Sequence, residues 1–239
     1  MSIIWMIVIT VCILQASVFF TTIYLHRSVT HKGLDLHPAV AQLMHLHLSL
    51  FTGIMPQEWA AVHRKHHHFS DKVGDPHSPK VFGVWKVLFG NYWYYKIEAA
   101  KEATLRKYTP DYKPDWIDKI PGIRYGVLVG MGIFCLMFGW AWGLAAWAFH
   151  VVAYVLLNSA INSLGHTFGY KNFDNGATNM QWLAFLTGGE GLHNNHHEHP
   201  TSARFALRGW EIDPAWAVIW LLQKFGLAHV RPEPLAKAA

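Results

Sequence analysis

Cysteine and charge are what this chain has least of. Two of its 239 residues are cysteine. Cys12 and Cys135 both lie within apolar runs, which leaves no basis for a disulfide framework or a cysteine metal site. Charged residues make up 15%, against roughly 25% in an ordinary soluble domain. They are absent from residues 1–25 and 125–165, so the formal net charge of +5 is crowded into the remaining segments. A basic chain with evenly spread charge would point to nucleic acid, whereas charge-free runs this long point to a membrane. Glycine-rich phosphate loops, a G-x-S-x-G elbow and paired cysteines are also missing. That removes support for nucleotide cofactors held by such loops, for serine hydrolysis and for thiol redox chemistry.

What is present is apolar and aromatic: 52% hydrophobic residues, 15% aromatics and 12 tryptophans, which excludes a disordered chain. The length predicts one domain over 1–239. Residues 2–25 give roughly 36 Å of apolar helix, enough to cross a hydrocarbon core of about 30 Å once. The first basic residue, Arg27, follows the run, so it reads as an uncleaved anchor. The run 125–165 is about 60 Å of helix. Gly139-Trp140-Ala141-Trp142-Gly143 breaks it, predicting spans over 125–140 and 142–165. Residues 36–57 lack charge but carry His37, His45 and His47. Basic residues number two in 26–37, twelve in 63–124 and six in 166–239. The positive-inside rule puts all three segments in the cytoplasm only if 36–57 is re-entrant or interfacial. The expected fold is therefore all-α and integral to the membrane, with about three transmembrane spans and the N-terminus outside. A cytoplasmic helical cap is expected from 58–124 and 166–239. Ile212 to Leu227, with Trp216 and Trp220 one turn apart, reads as an amphipathic helix on the membrane surface.

Histidine is the residue in excess, with 17 copies. Four groups stand out: His26-Arg-Ser-Val-Thr-His31, His63-Arg-Lys-His66-His67, Asn162-Ser-Leu-Gly-His166 and His193-Asn-Asn-His196-His197. Spacings of three and four put His63, His66 and His67 on one helical face, as they do His193, His196 and His197, and Asn162 with His166. His26 and His31 are five apart and converge only if a helix end or a loop falls between them. Buried imidazoles crowded together repel if protonated and lack partners if neutral. Their recurrence on one side of a membrane therefore points to metal, and nine candidate imidazoles suit two ions better than one. Neutral imidazole serves iron, zinc, copper and nickel alike, so ligand type does not choose among them. His68, His77, His199, His45, His47, His150 and His229 read as solvated, supporting or structural.

The boxes HRSVTH, HRKHH and HNNHH, in that order and separated by apolar hairpins, resemble the membrane-bound fatty acid desaturases. NSLGHTFGY and GGEGLHNNHH look like the branch acting on saturated acyl chains, often at Δ9, and most like short bacterial acyl-CoA desaturases. The resemblance runs from about Thr21 to Pro200. It implies two iron ions (Fe2+/Fe3+), with His26, His31, His63, His67 and His196 at one and His66, His166, His193 and His197 at the other. Asn162 matches an Asn that reaches the second iron through water. It also implies O2-dependent insertion of a cis double bond, with electrons from a separate donor such as ferredoxin or a cytochrome-b5-like protein on the cytoplasmic face, in a bacterial inner membrane. Two departures matter. Only one span fits before His26, where animal relatives have two. The Arg-Asp pair that binds the CoA head group in animal enzymes is replaced by Ala61 and Val62, so acyl-CoA, acyl-lipid and acyl-carrier-protein substrates all stay open. The rivals are a related di-iron fatty acid or alkane hydroxylase and, from another class, a membrane metal-binding protein.

Overall fold

The computed structural model describes residues 2–232. Met1 and 233–239, the extremes of the expected domain, lie outside the described residues. Ser2 caps α1 (Ile3–Phe20) by accepting from the Trp5 amide, and the helix runs on into a π-helical stretch, Thr21–Thr30. Together they form a rod of 28 residues, about 42 Å by α-helical rise and so longer than a hydrocarbon core requires. α2 (Pro38–Phe51) and α3 (Pro56–Phe69) each open on a proline, whose missing N–H is no loss in the first turn. α4 (Pro79–Phe82), α5 (Val84–Ala99) and α6 (Glu102–Tyr108) follow, then the hairpin of α7 (Gly126–Phe138) and α8 (Trp140–Ser163). α9 (Gln181–Leu186), α10 (His193–Glu198) and α11 (Pro214–Lys224) complete the helices. β1 (Leu34–Leu36) pairs antiparallel with β2 (Ala228–Val230), Asp35 opposite His229.

Two helices, Ile3–Thr30 and Trp140–His166, are long and apolar enough to cross a membrane. The third expected span, 125–140, is not among them. α7 has 13 residues, about 20 Å, which falls short of a core about 30 Å thick. Gly139 is the reason: its φ of +81° suits glycine and breaks the apolar run far from its middle, leaving a short first arm. α2, with 14 residues, is also too short to cross alone. The two short helices pack closely. A Cβ on Gly130 of α7 would lie 2.1 Å from the Leu50 carbonyl oxygen on α2. The outward faces of α1, α7 and α8 expose Ile4, Ile7, Leu128, Leu136, Trp140 and Phe149, an extended apolar surface suited to lipid.

The main core lies between the π-helical stretch, α2 and α11, where Ile23, Leu25, Leu34, Leu48 and Ile219 are buried together. Each such side chain contributes roughly 1.5–3 kcal/mol on leaving water. Arg27, also buried, donates to both carboxylate oxygens of Asp213 at 3.0 and 3.1 Å and lies over the Phe205 ring. Asp213 caps α11 through the Trp216 amide, so one carboxylate fastens the end of the first rod to the C-terminal helix.

Glu98 does similar work for the cap. From α5 it accepts hydrogen bonds from Lys65 on α3 at 2.6 Å, from Lys101 at 2.9 Å and from Thr104 on α6 at 2.5 Å. Burial pushes its pKa up, but the bonds from Lys65, Thr104 and Lys101 outweigh burial and hold it at about 2, against 4.5 when free. A depressed acid pKa stabilises the fold above the free value, and that stability is lost as pH falls through the folded value. Glu98→Gln should therefore lower the thermal unfolding temperature of the detergent-solubilised protein at pH 7. The gap from wild type should close progressively between pH 4.5 and 2.

Candidate metal centre

The histidines reach one place from four separate segments. His26 lies within the π-helical stretch and His31 caps its end, where the His31 amide donates to the His26 carbonyl at 3.0 Å. Bonds of this i→i+5 type widen the turn. Residues five apart then share a face, and the two rings come within 4.8 Å. The sequence reading required a helix end or a loop between them; the wider winding of the helix does that work instead. α3 presents His63, His66 and His67, and α10 presents His193, His196 and His197, each set from one face as the spacing predicts. His166 ends the single 3-10 turn that follows α8.

These side chains gather into two groups, His26, His31, His63, His67 and His196 in one and His66, His166, His193 and His197 in the other. Within each group the ligand atoms lie within 4.8 Å of one another. The contacts are between Nε2 atoms: His26 to His196 2.9 Å, His196 to His67 3.0 Å, His67 to His63 2.9 Å and His63 to His31 3.0 Å. In the second group His66 meets His197 at 3.3 Å, His197 meets His193 at 3.1 Å and His193 meets His166 at 3.0 Å.

The opposite ring nitrogens decide what these contacts are. Nδ1 of His26 faces Glu190 Oε1 at 2.6 Å, Nδ1 of His66 faces both Asp75 oxygens at 3.0 Å, and Nδ1 of His166 faces Asp71 at 3.0 Å. A carboxylate only accepts, so each of these nitrogens carries the proton and the Nε2 behind it is a lone pair. An Nε2 lone pair is what a metal ion or a hydrogen-bond donor takes up, and metal sites use a carboxylate behind the histidine in this way to fix the tautomer. Burial lowers the pKa of His31, His63, His67, His193, His196 and His197 well below 6.5, and neighbouring imidazoles lower it further. The neutral form that binds metal is thereby favoured. Burial works against the charge on Asp71, but bonds from His166 and Lys80 hold its carboxyl at about 2.

Asp71, Asp75 and Glu190 escaped the sequence reading. The one available signal was isolation: Glu190 is the sole charged residue in 175–197. His77, which the sequence left as supporting or solvated, is not solvated. It is buried with its ring 4.8 Å from that of His66. His68 is exposed, and His199 packs on Phe173. His45 bonds Asp115, His47 bonds Ser17, and His150 donates to the Phe51 carbonyl. Asn162 lies one turn before His166, its amide donating to the Asn158 carbonyl at 3.4 Å. It lines a cavity of about 830 Å3, as do His26, His63, His77, Trp59 and Glu190.

Residues 3–229 match the family described as fatty acid desaturase. The chain belongs to the fatty acid desaturase family. It is thus an O2-dependent oxidoreductase of a membrane family. It is 33% identical to the sn-1 stearoyl-lipid 9-desaturase of Anabaena variabilis, over 87% of this chain and 76% of that protein. It is 34% identical to the hex-5-enoyl-acyl-carrier-protein acetylenase of Moorena producens, over 89% and 72%. Against an acyl-CoA 5-desaturase of Anemone leveillei the figures are 32%, 88% and 66%. The carboxylates behind the desaturase's histidines give a direct test. Asp75→Asn and Glu190→Gln should each weaken metal retention by about 10–100-fold, measured as metal per protein after graded chelator treatment, with membrane insertion unchanged.

Proposed function

We propose that the chain inserts a cis double bond, of Δ9 type, into a saturated acyl chain at a di-iron centre. The ligands are His26, His31, His63, His67 and His196 on one side and His66, His166, His193 and His197 on the other, with Asn162 reaching the second through water. The observation that carries this reading is the meeting of cavity and cluster: a cavity large enough for a lipid chain has His26 and His63 in its wall. The ligand count supports iron over zinc, because the five imidazoles of the first group exceed a tetrahedral set.

In the overall reaction a CH2–CH2 unit loses two hydrogen atoms. O2 takes these up together with two electrons and two protons from outside, and two waters leave. The irons, when bound, supply O2 reduction and removal of hydrogen from an unactivated methylene. The protein's own residues hold and orient. Glu190, Asp75 and Asp71 fix the imidazoles through Nδ1. Trp59 lies flat on His63, ring centroids 4.8 Å apart, and walls the cavity beside it. Val62 and Ile161 line the same cavity with carbon, so water is excluded and the chain is held against the centre. No flavin or haem motif is present, so a ferredoxin or cytochrome-b5-like protein supplies the electrons at the basic cytoplasmic face. Residues 58–124 and 166–232 form the cytoplasmic cap of a single domain, in a bacterial inner membrane.

The test is the fatty acid profile of a host expressing the chain beside one expressing His66→Ala. A new monoene is expected only with the intact chain and only in air, and its position fixes the regiochemistry. A product that has gained oxygen instead would replace the desaturase reading with the hydroxylase one. Full activity in His66→Ala would remove the metal assignment.

A further inference from the structure

The cavity wall has an exposed stretch with a chemistry of its own. Phe89 and Trp93 of α5 and Tyr125 line it and are 65–69% exposed, beside Lys96 and Arg124, and this stretch is read as its mouth. Trp85, Phe89, Trp93 and Ile97 recur every four residues along α5 and are each 62–69% exposed. The opposite face of α5, with Val87, Asn91 and Glu98, is buried. A stripe of large apolar side chains on a helix with Lys86 and Lys96 at its flanks suits the head-group boundary of a bilayer, where indole rings settle. α5 packs along α8, one of the two helices long and apolar enough to cross a membrane.

The charges at the mouth are few. Glu58 meets Arg124 at 3.0 Å and Lys96 at 3.8 Å. Two cations share one carboxylate, which leaves one net positive charge. The other charged residue lining the cavity is Glu190, already bonded to His26. One positive charge matches the single negative charge of a phosphodiester. A carrier with several phosphate charges would leave most of them unpaired there, and a protein carrier would have to cover the exposed indoles of α5. Asn91 and Tyr95, five residues and one residue before Lys96, line the same cavity. Asn91 is buried, and its Oδ1 and the Tyr95 hydroxyl have no partner among the described residues. Buried polar groups without partners are uncommon and ask for a ligand. An ester carbonyl can accept from the Tyr95 hydroxyl, and a hydroxyl or water can donate to Asn91.

We propose that Lys96, Arg124 and Glu58 form a phosphodiester site at a mouth that the α5 stripe seats in the head-group layer. A membrane phospholipid then enters sideways and threads one acyl chain toward the histidines, with its ester beside Tyr95 and Asn91. This inference rests on the desaturase reading and adds the carrier and the way in.

The experiment supplies the iron-loaded protein and a ferredoxin reductant with three carriers of palmitoyl and stearoyl chains: phosphatidylglycerol vesicles, the CoA thioesters and the acyl-carrier-protein thioesters. The monoene should appear within intact phospholipid, faster than on either thioester. Lys96→Gln with Arg124→Gln should raise the KM for vesicle lipid about tenfold, the loss of one charge-assisted contact, with little change in kcat. Faster turnover of either thioester, or an unchanged KM in the double variant, overturns the site and leaves the desaturase intact. No monoene from any carrier overturns both. A readout independent of turnover is fluorescence quenching by phospholipids brominated near the head group. Trp93→Phe should remove part of the quenchable signal, and unchanged quenching overturns the seating of α5.

Discussion

Nine imidazoles, joined by seven contacts between Nε2 atoms of 2.9–3.3 Å, are the constraint around which the chain is arranged. Burying so many polar rings costs free energy unless their nitrogens are bonded or hold a cation. The fold must therefore hold each ring against both its neighbours and its own loss of hydration. It does so by placing the rings on short rigid elements and by backing three of them with carboxylates: Glu190 behind His26, Asp75 behind His66 and Asp71 behind His166. Each carboxylate is itself tied down. Asp75 accepts from the amides of Asp71 and His77, and Asp71 accepts from Ser78 and Lys80. One loop, residues 71–80, thus orients ligands on two different helices.

The long rods serve the same end. A helix needs about 20 residues to cross a bilayer, and both rods have more. The last turns of both rods carry His26 and His166 to where α3 and α10 meet them. The short pair α2 and α7 fills the space between without competing for that height. The cavity wall includes Asn162, Tyr154 and Trp147 of α8, so cavity and histidine cluster share one scaffold.

How much of this the sequence disclosed follows the range of each interaction. HRKHH and HNNHH are readable because spacings of three and four have one meaning on an α-helix. The hairpin was readable from missing charge and from Gly139. His26 and His31 were harder, because their convergence depends on a change of helical winding that no local residue type announces. The carboxylates were harder still: His26 finds Glu190 164 residues away, and His166 finds Asp71 at a distance of 95. The shortness of the helix at the third expected span was a matter of arithmetic within a legible motif, since an off-centre glycine divides a long apolar run into unequal arms. The aromatic stripe of α5 was in plain view, but without α8 beside it nothing distinguished its outer face from its inner one.

The pairing of β1 with β2 has a consequence for how the protein is made. The Arg231 amide donates to the Gly33 carbonyl just beyond the first histidine box, and Asp213 grips Arg27 inside it. Translation runs at about 5–20 residues per second, so the first box is complete roughly 10–40 s before the strand that fastens it emerges. During that interval the loop from His31 to Gly33 lacks the strand that later pairs beside it, and Arg27 lacks Asp213. The two ends of the chain are therefore joined only after nearly all of it has been made.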